Sequence, residues 1–344
     1  MPALFTDTQN ELADVARTIG AEGITMQRDV LNGGDVPAEP TRALLEGYSG
    51  VGAPEAQGGF GGSLVDLVVF LESLFRGALP TPFGTHVAAV QAAVGAGIDV
   101  SAAVSGGELW TLAAVERMGQ RWGDWSMSID ASGVTGAKVG VPFGAVADKV
   151  VVIGADDRVA LVNVASSRPR TGMDPALRPA DIEIKGAPIA SALGGSRAFL
   201  RAGVVLAAQT VGVARGALEL ASSYAAARKQ FDQAIGSFQG VAHPLADALV
   251  DLEAAWSLVL YAAWALDESA DDAVIASHVA IARAGSAAIA VTERALQVHG
   301  GIGVTWEADP HLYIRRVLAL NGLLGGHAAH FRMAGAEAVR WGIR

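Results

Sequence analysis

The chain contains no cysteine, which removes disulfides, thiolate metal sites and cysteine nucleophiles together. Charge is scarce: only 17% of the 344 residues are charged, and the net balance is −10. A sparse, acidic charge set argues against nucleic acid as the main partner, because binding phosphate along a duplex takes many basic residues. A small anionic ligand needs only one local cation and stays open. Met1-Pro2-Ala3-Leu4 shows no basic segment leading into an apolar run, so no secretory signal is expected and the cytoplasm is the default location. The apolar stretches are broken at helical spacing by Glu, Asp, Arg or Gln, so no membrane span is expected. The one glycine-rich loop, Val51 to Ser63, lacks the Lys-Ser/Thr ending of a phosphate loop and reads as a turn that lets the chain pass close to another element.

What is present is apolar mass. At 51% apolar residues, the chain can bury a sizeable core and divide into two or three domains. Thr6 or Asp7 caps an amphipathic helix with Leu12, Val15, Ala16 and Ile19 on one face. A short helix follows over 41–47. Ser63 caps another over 64–76, stopped by Pro80 and Pro82, and an Ala/Val-rich helix covers 86–97. The texture then changes. Segments 109–115, 126–129, 133–141, 149–153 and 159–164 are short, β-branched and punctuated by Gly, Asp and Pro, which predicts a small antiparallel barrel or sandwich. From Ser196 onward the helical pattern returns, with long helices over 199–228, from Pro244 to 267 and from Asp271 to 299, and one or two more after Pro310. Antiparallel helices with short connections imply a four-helix bundle. The expected domains are therefore 1–106 (helical), 107–195 (β) and 196–344 (helical bundle).

Two segments carry the chemistry. Arg228-Lys229-Gln230-Phe231-Asp232-Gln233-Ala234-Ile235-Gly236-Ser237-Phe238-Gln239 offers a guanidinium fork, aromatic rings and amides; Gln297-Val298-His299-Gly300-Gly301-Ile302-Gly303 ends a helix in a glycine turn. Together they describe a site for an anion and a ring. Taken singly, Arg228 reads equally well as a solvated helix residue and Gly300-Gly301 as a helix stop.

The pair resembles a signature of the acyl-CoA dehydrogenase family. Phe5-Thr6-Asp7-Thr8-Gln9-Asn10-Glu11-Leu12 is similar to that family's opening helix, and Pro54-Glu55-Ala56-Gln57-Gly58-Gly59-Phe60-Gly61 to its P-E-x-x-G-G-x-G loop. The resemblance spans nearly the whole chain. It implies helical, β and four-helix domains in that order, and FAD-dependent α,β-desaturation of an acyl-CoA. It also implies a flavin whose ADP half is held across a subunit interface. On that basis Arg228 would meet the pyrophosphate, Phe231 and Phe238 would pack at the adenine end, and Gln239, Gln297, Gly300 and Gly301 would line the nucleotide.

The pattern fails where the family does its chemistry. Its members abstract the α-proton with a glutamate. The two positions that usually carry this base fall here in Asn321-Gly322-Leu323-Leu324-Gly325-Gly326 and in Leu200-Arg201-Ala202-Gly203, so Leu324/Gly325 and Ala202 stand where an acid is needed. None of these can accept a proton, and no catalytic residue is assigned. The flavin-covering motifs are degraded as well, in Thr111 to Gly119 and in Val139-Gly140-Val141-Pro142-Phe143-Gly144. Trp306-Glu307-Ala308-Asp309-Pro310-His311-Leu312-Tyr313-Ile314-Arg315-Arg316 resembles a segment of actinobacterial family members that shorten steroid side chains as α2β2 heterotetramers with fewer flavins than subunits. The resemblance thus implies a second dehydrogenase-like chain as partner, an acyl-CoA substrate and an electron-transfer flavoprotein or similar acceptor. Two alternatives stay open: a self-sufficient enzyme with a displaced base such as Glu116 or Glu307, and a non-enzymatic scaffold of the same fold. Glu219 and Glu253 read as surface or salt-bridged carboxylates on the bundle, and Arg315-Arg316 as an interface or solvent pair. His299 sits beside Gly300 but needs no function there. His327 and His330 lack an acidic companion at ligand spacing, so no metal is expected.

Overall fold

The computed structural model describes residues 5–120, 122–130 and 133–342. Six helices come first: α1 (Asp7–Gly20), α2 (Gly23–Leu31), α3 (Ala38–Tyr48), α4 (Leu64–Leu74), α5 (Phe83–Gly95) and the single turn α6 (Ser101–Val104). Thr6 and Gln9 form a capping box on α1, and Ser63 and Asp66 form one on α4. The two are tied, because Gln9 Nε2 donates to Asp66 Oδ1 at 2.7 Å. The 51–63 loop is tight: a Cβ on Gly59 would lie 2.2 Å from the Ala53 carbonyl, so the chain returns on itself there as expected. Helix α2 was not expected. Its buried positions are Gly23, Gln27 and Val30, which give no apolar period to read.

Among the described residues seven strands follow: β1 (Trp110–Ala113), β2 (Val134–Val141), β3 (Lys149–Ile153), β4 (Arg158–Val162), β5 (Ser166–Pro169), β6 (Ala180–Gly186) and β7 (Ala190–Leu193). They form two sheets, β1-β3-β4-β7 and β2-β6-β5. Val150, Val152, Ala160 and Val162 on one sheet share a core with Val134, Ile182 and Ile184 on the other, which makes a sandwich. The opposite faces of β3 and β4 place Val151, Ile153, Val159 and Leu161 in the main helical core. Burial on both faces accounts for the continuous Val150-Val151-Val152-Ile153 run. The expectation of a purely antiparallel domain is corrected at one pair: β1 and β3 run parallel, with Trp110 opposite Lys149. The expected strand over 126–129 is also absent, and only Ile129 bridges to Val134.

The C-terminal part comprises α7 (Gly195–Ala227), the hairpin β8 (Lys229–Gln230) and β9 (Gln233–Ala234), then α8 (Gln239–Asp267), α9 (Ala273–His299), α10 (Pro310–Leu323) and α11 (His327–Arg340). Helix α7 lies at the centre. It approaches the α4 region so closely that a Cβ on Gly212 or Gly216 would collide with the carbonyls of Glu72 or Arg76. By length and apolar composition α7, α8 and the segment Ala273–Val304 each meet the requirement for crossing a membrane, against the expectation from their polar residues. In the folded chain 83% of the α7 window is buried inside the protein, but only 44% of the α8 window. The first is therefore a core helix, and the second keeps an uncovered side.

Two buried arginines lock these parts together. Arg316 on α10 is fully enclosed; it pairs with Asp174 and donates to Gln27 Oε1 at 2.7 Å and to the Leu79 carbonyl at 3.2 Å. Gln27 in turn donates to Asp174 at 2.9 Å. Arg201 on α7 reaches Gln91 at 3.0 Å and Asp267 at 2.8 Å. Arg316 is thus neither an interface nor a solvent residue, whereas its neighbour Arg315 lies over the Trp306 ring at 5.2 Å. Removing one partner of a buried pair strands the other charge. Arg316→Leu is expected to destabilise the protein by about 3–5 kcal/mol, read as a lower denaturant midpoint, and by much more than Arg315→Leu in the same experiment.

Candidate functional site

Helix α7 stops because Arg228 turns to an extended conformation, its N–H still donating to the Tyr224 carbonyl at 2.8 Å. Hairpin β8–β9 follows, with Phe231 and Asp232 at φ 52° and 62°. This is the left-handed geometry that a two-residue hairpin turn demands, here met without glycine. Phe231 is 87% exposed and touches Phe238 edge-on at 6.2 Å. Ile235 N–H donates to the Arg228 carbonyl at 2.8 Å, closing the base of the hairpin.

Helix α9 ends at His299, and Gly300 at φ 65° breaks it. Tyr224 stacks on His299 at 4.3 Å. That contact fixes the ends of α7 and α9 side by side, although Arg228 and Gln297 are 297 − 228 = 69 residues apart. Arg228, Gln239, Gln297, Gly300 and Gly301 are all exposed, and a Cβ on either glycine would meet nothing. Arg228, Gln239 and Gln297 make no side-chain hydrogen bond among the described residues. The end of the bundle therefore presents a cation, two amides, an exposed ring and bare backbone. That set suits a nucleotide pyrophosphate and base lying on the surface.

The interior site has the opposite character. Ala202 is fully buried, and so is Leu324 to within 4%. A Cβ on Gly203 would lie 2.6 Å from Ile281 Cδ1 and 3.6 Å from Leu324 Cδ2, so the surroundings of both base positions are packed onto one another. Next to them Trp122, Trp125, Phe199, His278 and His330 form one ring cluster, with Trp122 4.7 Å from His278 and Phe199 stacked 6.2 Å from His330. Two cavities of about 20 Å³ lie here, beside a more open one of about 590 Å³ bordered by Trp122, Leu200 and His278. One of the two lies between Val115, Trp122, Phe199 and Leu324, and the other between Thr85, Leu112, Pro142 and Leu206. Each of the two has room for about one water, not for a tricyclic ring. The Pro142 carbonyl is taken by Thr111 Oγ1 at 2.7 Å.

Three of the four candidate acids are engaged by basic partners within the chain. Burial alone would raise the Glu116 carboxyl, but Ser126, the Met127 N–H and Lys138 outweigh it and hold the group below its ordinary value. Lys138 Nζ sits 3.0 Å from Glu116 and 2.5 Å from the Ile153 carbonyl, fully buried. This is a structural ion pair. Glu307 is exposed. Glu219 pairs with Arg76 at 3.1 Å and Glu253 with Arg215 at 2.6 Å.

His330 Nδ1 meets His278 Nδ1 at 3.0 Å, and its Nε2 meets the Leu324 carbonyl at 2.8 Å. The carbonyl requires the proton on His330 Nε2, so His278 Nδ1–H is the donor and both rings are neutral. His278 and Trp122 were not foreseen. Each is a lone residue in its own segment, and only the fold brings them together.

Family models for the acyl-CoA dehydrogenase N-terminal domain and C-terminal domain match residues 6–103 and 196–339. The chain belongs to the acyl-CoA dehydrogenase family. It is 33% identical to acyl-CoA dehydrogenase FadE34 of Mycobacterium tuberculosis over 96% of its length, but it spans only 48% of that protein. It is 31% identical to acyl-CoA dehydrogenase IpdE2 of Mycolicibacterium smegmatis over 86% of both chains. Among solved structures it resembles a chain of the ChsE4-ChsE5 complex of Mycobacterium tuberculosis (TM-score 0.84, 26% identity, 97% and 98% of the two chains). It also resembles a chain of the Tcur3481-Tcur3483 steroid ACAD, G363A variant (TM-score 0.83, 27% identity, 98% and 99%).

Burial lowers the His278 imidazole to about 3, with the neighbouring His330 adding to the effect, and lowers His330 to about 4. Both folded-state values lie below the unfolded value near 6.5, so their stabilising share is fully present above that value. It is lost as pH falls towards about 4. One such histidine accounts for on the order of 2 kcal/mol by about pH 5. Acid titration followed by thermal melts should show a Tm that declines steeply below neutrality. In His330→Phe the slope should be shallower, whatever its Tm at neutral pH.

Proposed function

We propose that this chain is the flavin-sharing, non-catalytic subunit of a hetero-oligomeric acyl-CoA dehydrogenase. The observation that carries this reading is the contrast between its two sites. The base positions Ala202 and Leu324 are aliphatic, buried and packed together, while the Arg228–Gln239 and Gln297–Gly301 face stays open. FAD bound at the interface would supply the acceptor for the hydride leaving the acyl β-carbon. In this chain, Arg228 would pair with the pyrophosphate and Gly300 and Gly301 would offer backbone N–H groups. Phe231 and Phe238 would pack the adenine end, with Gln239 and Gln297 lining the nucleotide. The residues fit that half of the cofactor. They do not fit the ring half, since the cavities beside Leu112, Val115 and Pro142 hold only about 20 Å³ each.

A second dehydrogenase-like chain would therefore hold the flavin ring and the glutamate that takes the α-proton. Two solved relatives support this, since their names pair two components, ChsE4 with ChsE5 and Tcur3481 with Tcur3483. So does FadE34, which carries about as much chain again outside the matched half. The steroid description of the second structure favours a bulky, steroid-side-chain acyl-CoA. An α2β2 assembly passing electrons to an electron-transfer flavoprotein in the cytoplasm completes the reading.

The chain purified alone is expected to be colourless and inactive, and co-expression with a second family member should give a yellow complex that oxidises acyl-CoA. In that complex Arg228→Ala should weaken FAD binding by about tenfold or more, the size of one lost charge-assisted contact. Flavin content by absorbance reads this directly. One flavin per chain with full turnover from the isolated protein would sink the proposal. An unchanged flavin content in Arg228→Ala would sink the assignment of the ADP site.

A further inference from the structure

A cavity of about 670 Å³ opens where the N-terminal helices meet the β region. Its walls come from the entry to α3, the residue that leads into α5, the β2–β3 turn and the loop between β5 and β6. It shares no lining residue with the small cavities near the base positions or with the open one beside Trp122, and none with the Arg228 face. Its size is ordinary for a small-molecule site. Pro37, Pro82, Pro169, Pro175 and Pro179 all line it. Proline has no N–H to donate, and its ring fixes its own φ, so these walls are poor in donors and hold their shape. Phe143 and Val146 add apolar surface. Val146 is 64% exposed and so belongs to the mouth.

Part of the wall is strained. Phe143 and Arg178 both line the cavity, and both have positive φ, at 52° and 44°. Neither is glycine, so neither adopts this conformation freely. The Phe143 N–H donates to the Leu177 carbonyl at 3.0 Å, which ties one left-handed turn to the other. A Cβ on Gly172 would lie 2.8 Å from Pro179 Cγ, so the β5–β6 loop is folded tightly on itself. Strain of this kind persists where the surroundings over-determine it, and it clusters at ligand sites.

The rim is basic, in a chain whose net charge is −10. Arg168 and Arg170 share one carboxylate, Asp181, each at 3.1 Å. Arg178 pairs with Asp35 at 3.2 Å and donates to the Gly34 carbonyl at 3.1 Å. Three guanidiniums thus meet two carboxylates, an excess of one positive charge. The Asp35 side chain is fully exposed, and an ion pair in water holds weakly. A carboxylate carried on an apolar body inside the cavity would meet the same guanidinium with less water around it, and so more strongly. We propose that this cavity binds a monoanionic carboxylic acid with an apolar body. The body lies against the prolines, Phe143 and Val146, and the carboxylate takes Arg178 from Asp35, which stands in for it in the empty site. The proposal uses no residue of the flavin reading and stands or falls independently of it.

Decanoate, an aliphatic monoanion, and decanamide, the same chain without the charge, test this by calorimetric titration of the full chain. One decanoate is expected to bind per chain, and decanamide about tenfold more weakly or worse, the size of one charge-assisted contact. Arg178→Gln should abolish that preference and leave decanamide binding as it was. Asp35→Ala, which frees the guanidinium, should tighten decanoate severalfold, a sign that damage to the fold could not produce. If Arg178→Gln misfolds, Val146→Asp, at an exposed position, serves in its place: it should weaken decanoate by about tenfold or more with Tm unchanged. Absence of saturable decanoate binding would overturn the proposal. So would equal binding of the two ligands, a preference that survives Arg178→Gln, or weaker binding to Asp35→Ala. Decanoate binding lost in Arg197→Gln but kept in Arg178→Gln would place the acid in the cavity beside Trp122 and overturn it too. If decanoate does not bind and Val146→Asp instead stops a co-expressed second family member from co-purifying, the groove is a protein-docking surface and the proposal fails.

Discussion

Everything in this molecule depends on a charge that has no access to water. Arg316 is enclosed between α2, α10 and the loop carrying Asp174, and it is tolerated because each of its three nitrogens has a partner: the Asp174 carboxylate, the Leu79 carbonyl and the Gln27 amide oxygen. An isolated guanidinium there would be prohibitively costly. The three partners come from the N-terminal helices, the turn before α5 and the β region, so the requirement to satisfy one side chain dictates how the three parts meet. Arg201 repeats the device on the other side of α7, through Gln91 and Asp267. The apolar core supplies the bulk of the stability, but it is non-directional. The two arginines supply direction.

That rigid frame makes the contrast between the two sites informative. The interior centre is filled, with Ala202 and Leu324 buried and Trp122, Phe199, His278 and His330 packed beside them. The fold around them has not moved in any way that obscures the family likeness, since matched structures superpose over 97% or more of the chain. The hairpin end is left polar, exposed and unspent. Phe231 sits in the left-handed turn of its hairpin at 87% exposure, an apolar ring held out in water.

How much of this could be read from the sequence follows from the range of each interaction. The capping boxes at Thr6 and Ser63, the long bundle helices and the Arg228 and Gly300 segments are local patterns and were legible. That Ala202 and Leu324 are not carboxylates is visible without a fold. The parallel pairing of β1 with β3 was not, since strand direction is decided by how the chain crosses between Ala113 and Lys149. Arg315 and Arg316 look equivalent in the sequence, yet one helical step of 100° sends the first over Trp306 and the second into the core. The ring cluster was invisible because it draws single residues from a loop, α7, α9 and α11. Helix α2 escaped notice because its buried face is made of Gly23, Gln27 and Val30.

The cap of α4 carries a consequence in time. The Leu64 N–H, one of the four that open this strongly apolar helix, donates to Asp267, the last residue of α8, 203 residues later. At a synthesis rate of roughly 5–20 residues per second, the ribosome delivers that carboxylate about 10–40 seconds after the helix emerges. Until then the N-terminal helices lack both their final cap and the α7 face that covers them. Meanwhile α4 has its α1 neighbour but not its α8 one. Folding of the first hundred residues is tied to the completion of the last hundred, and the cell's chaperones have that interval to guard.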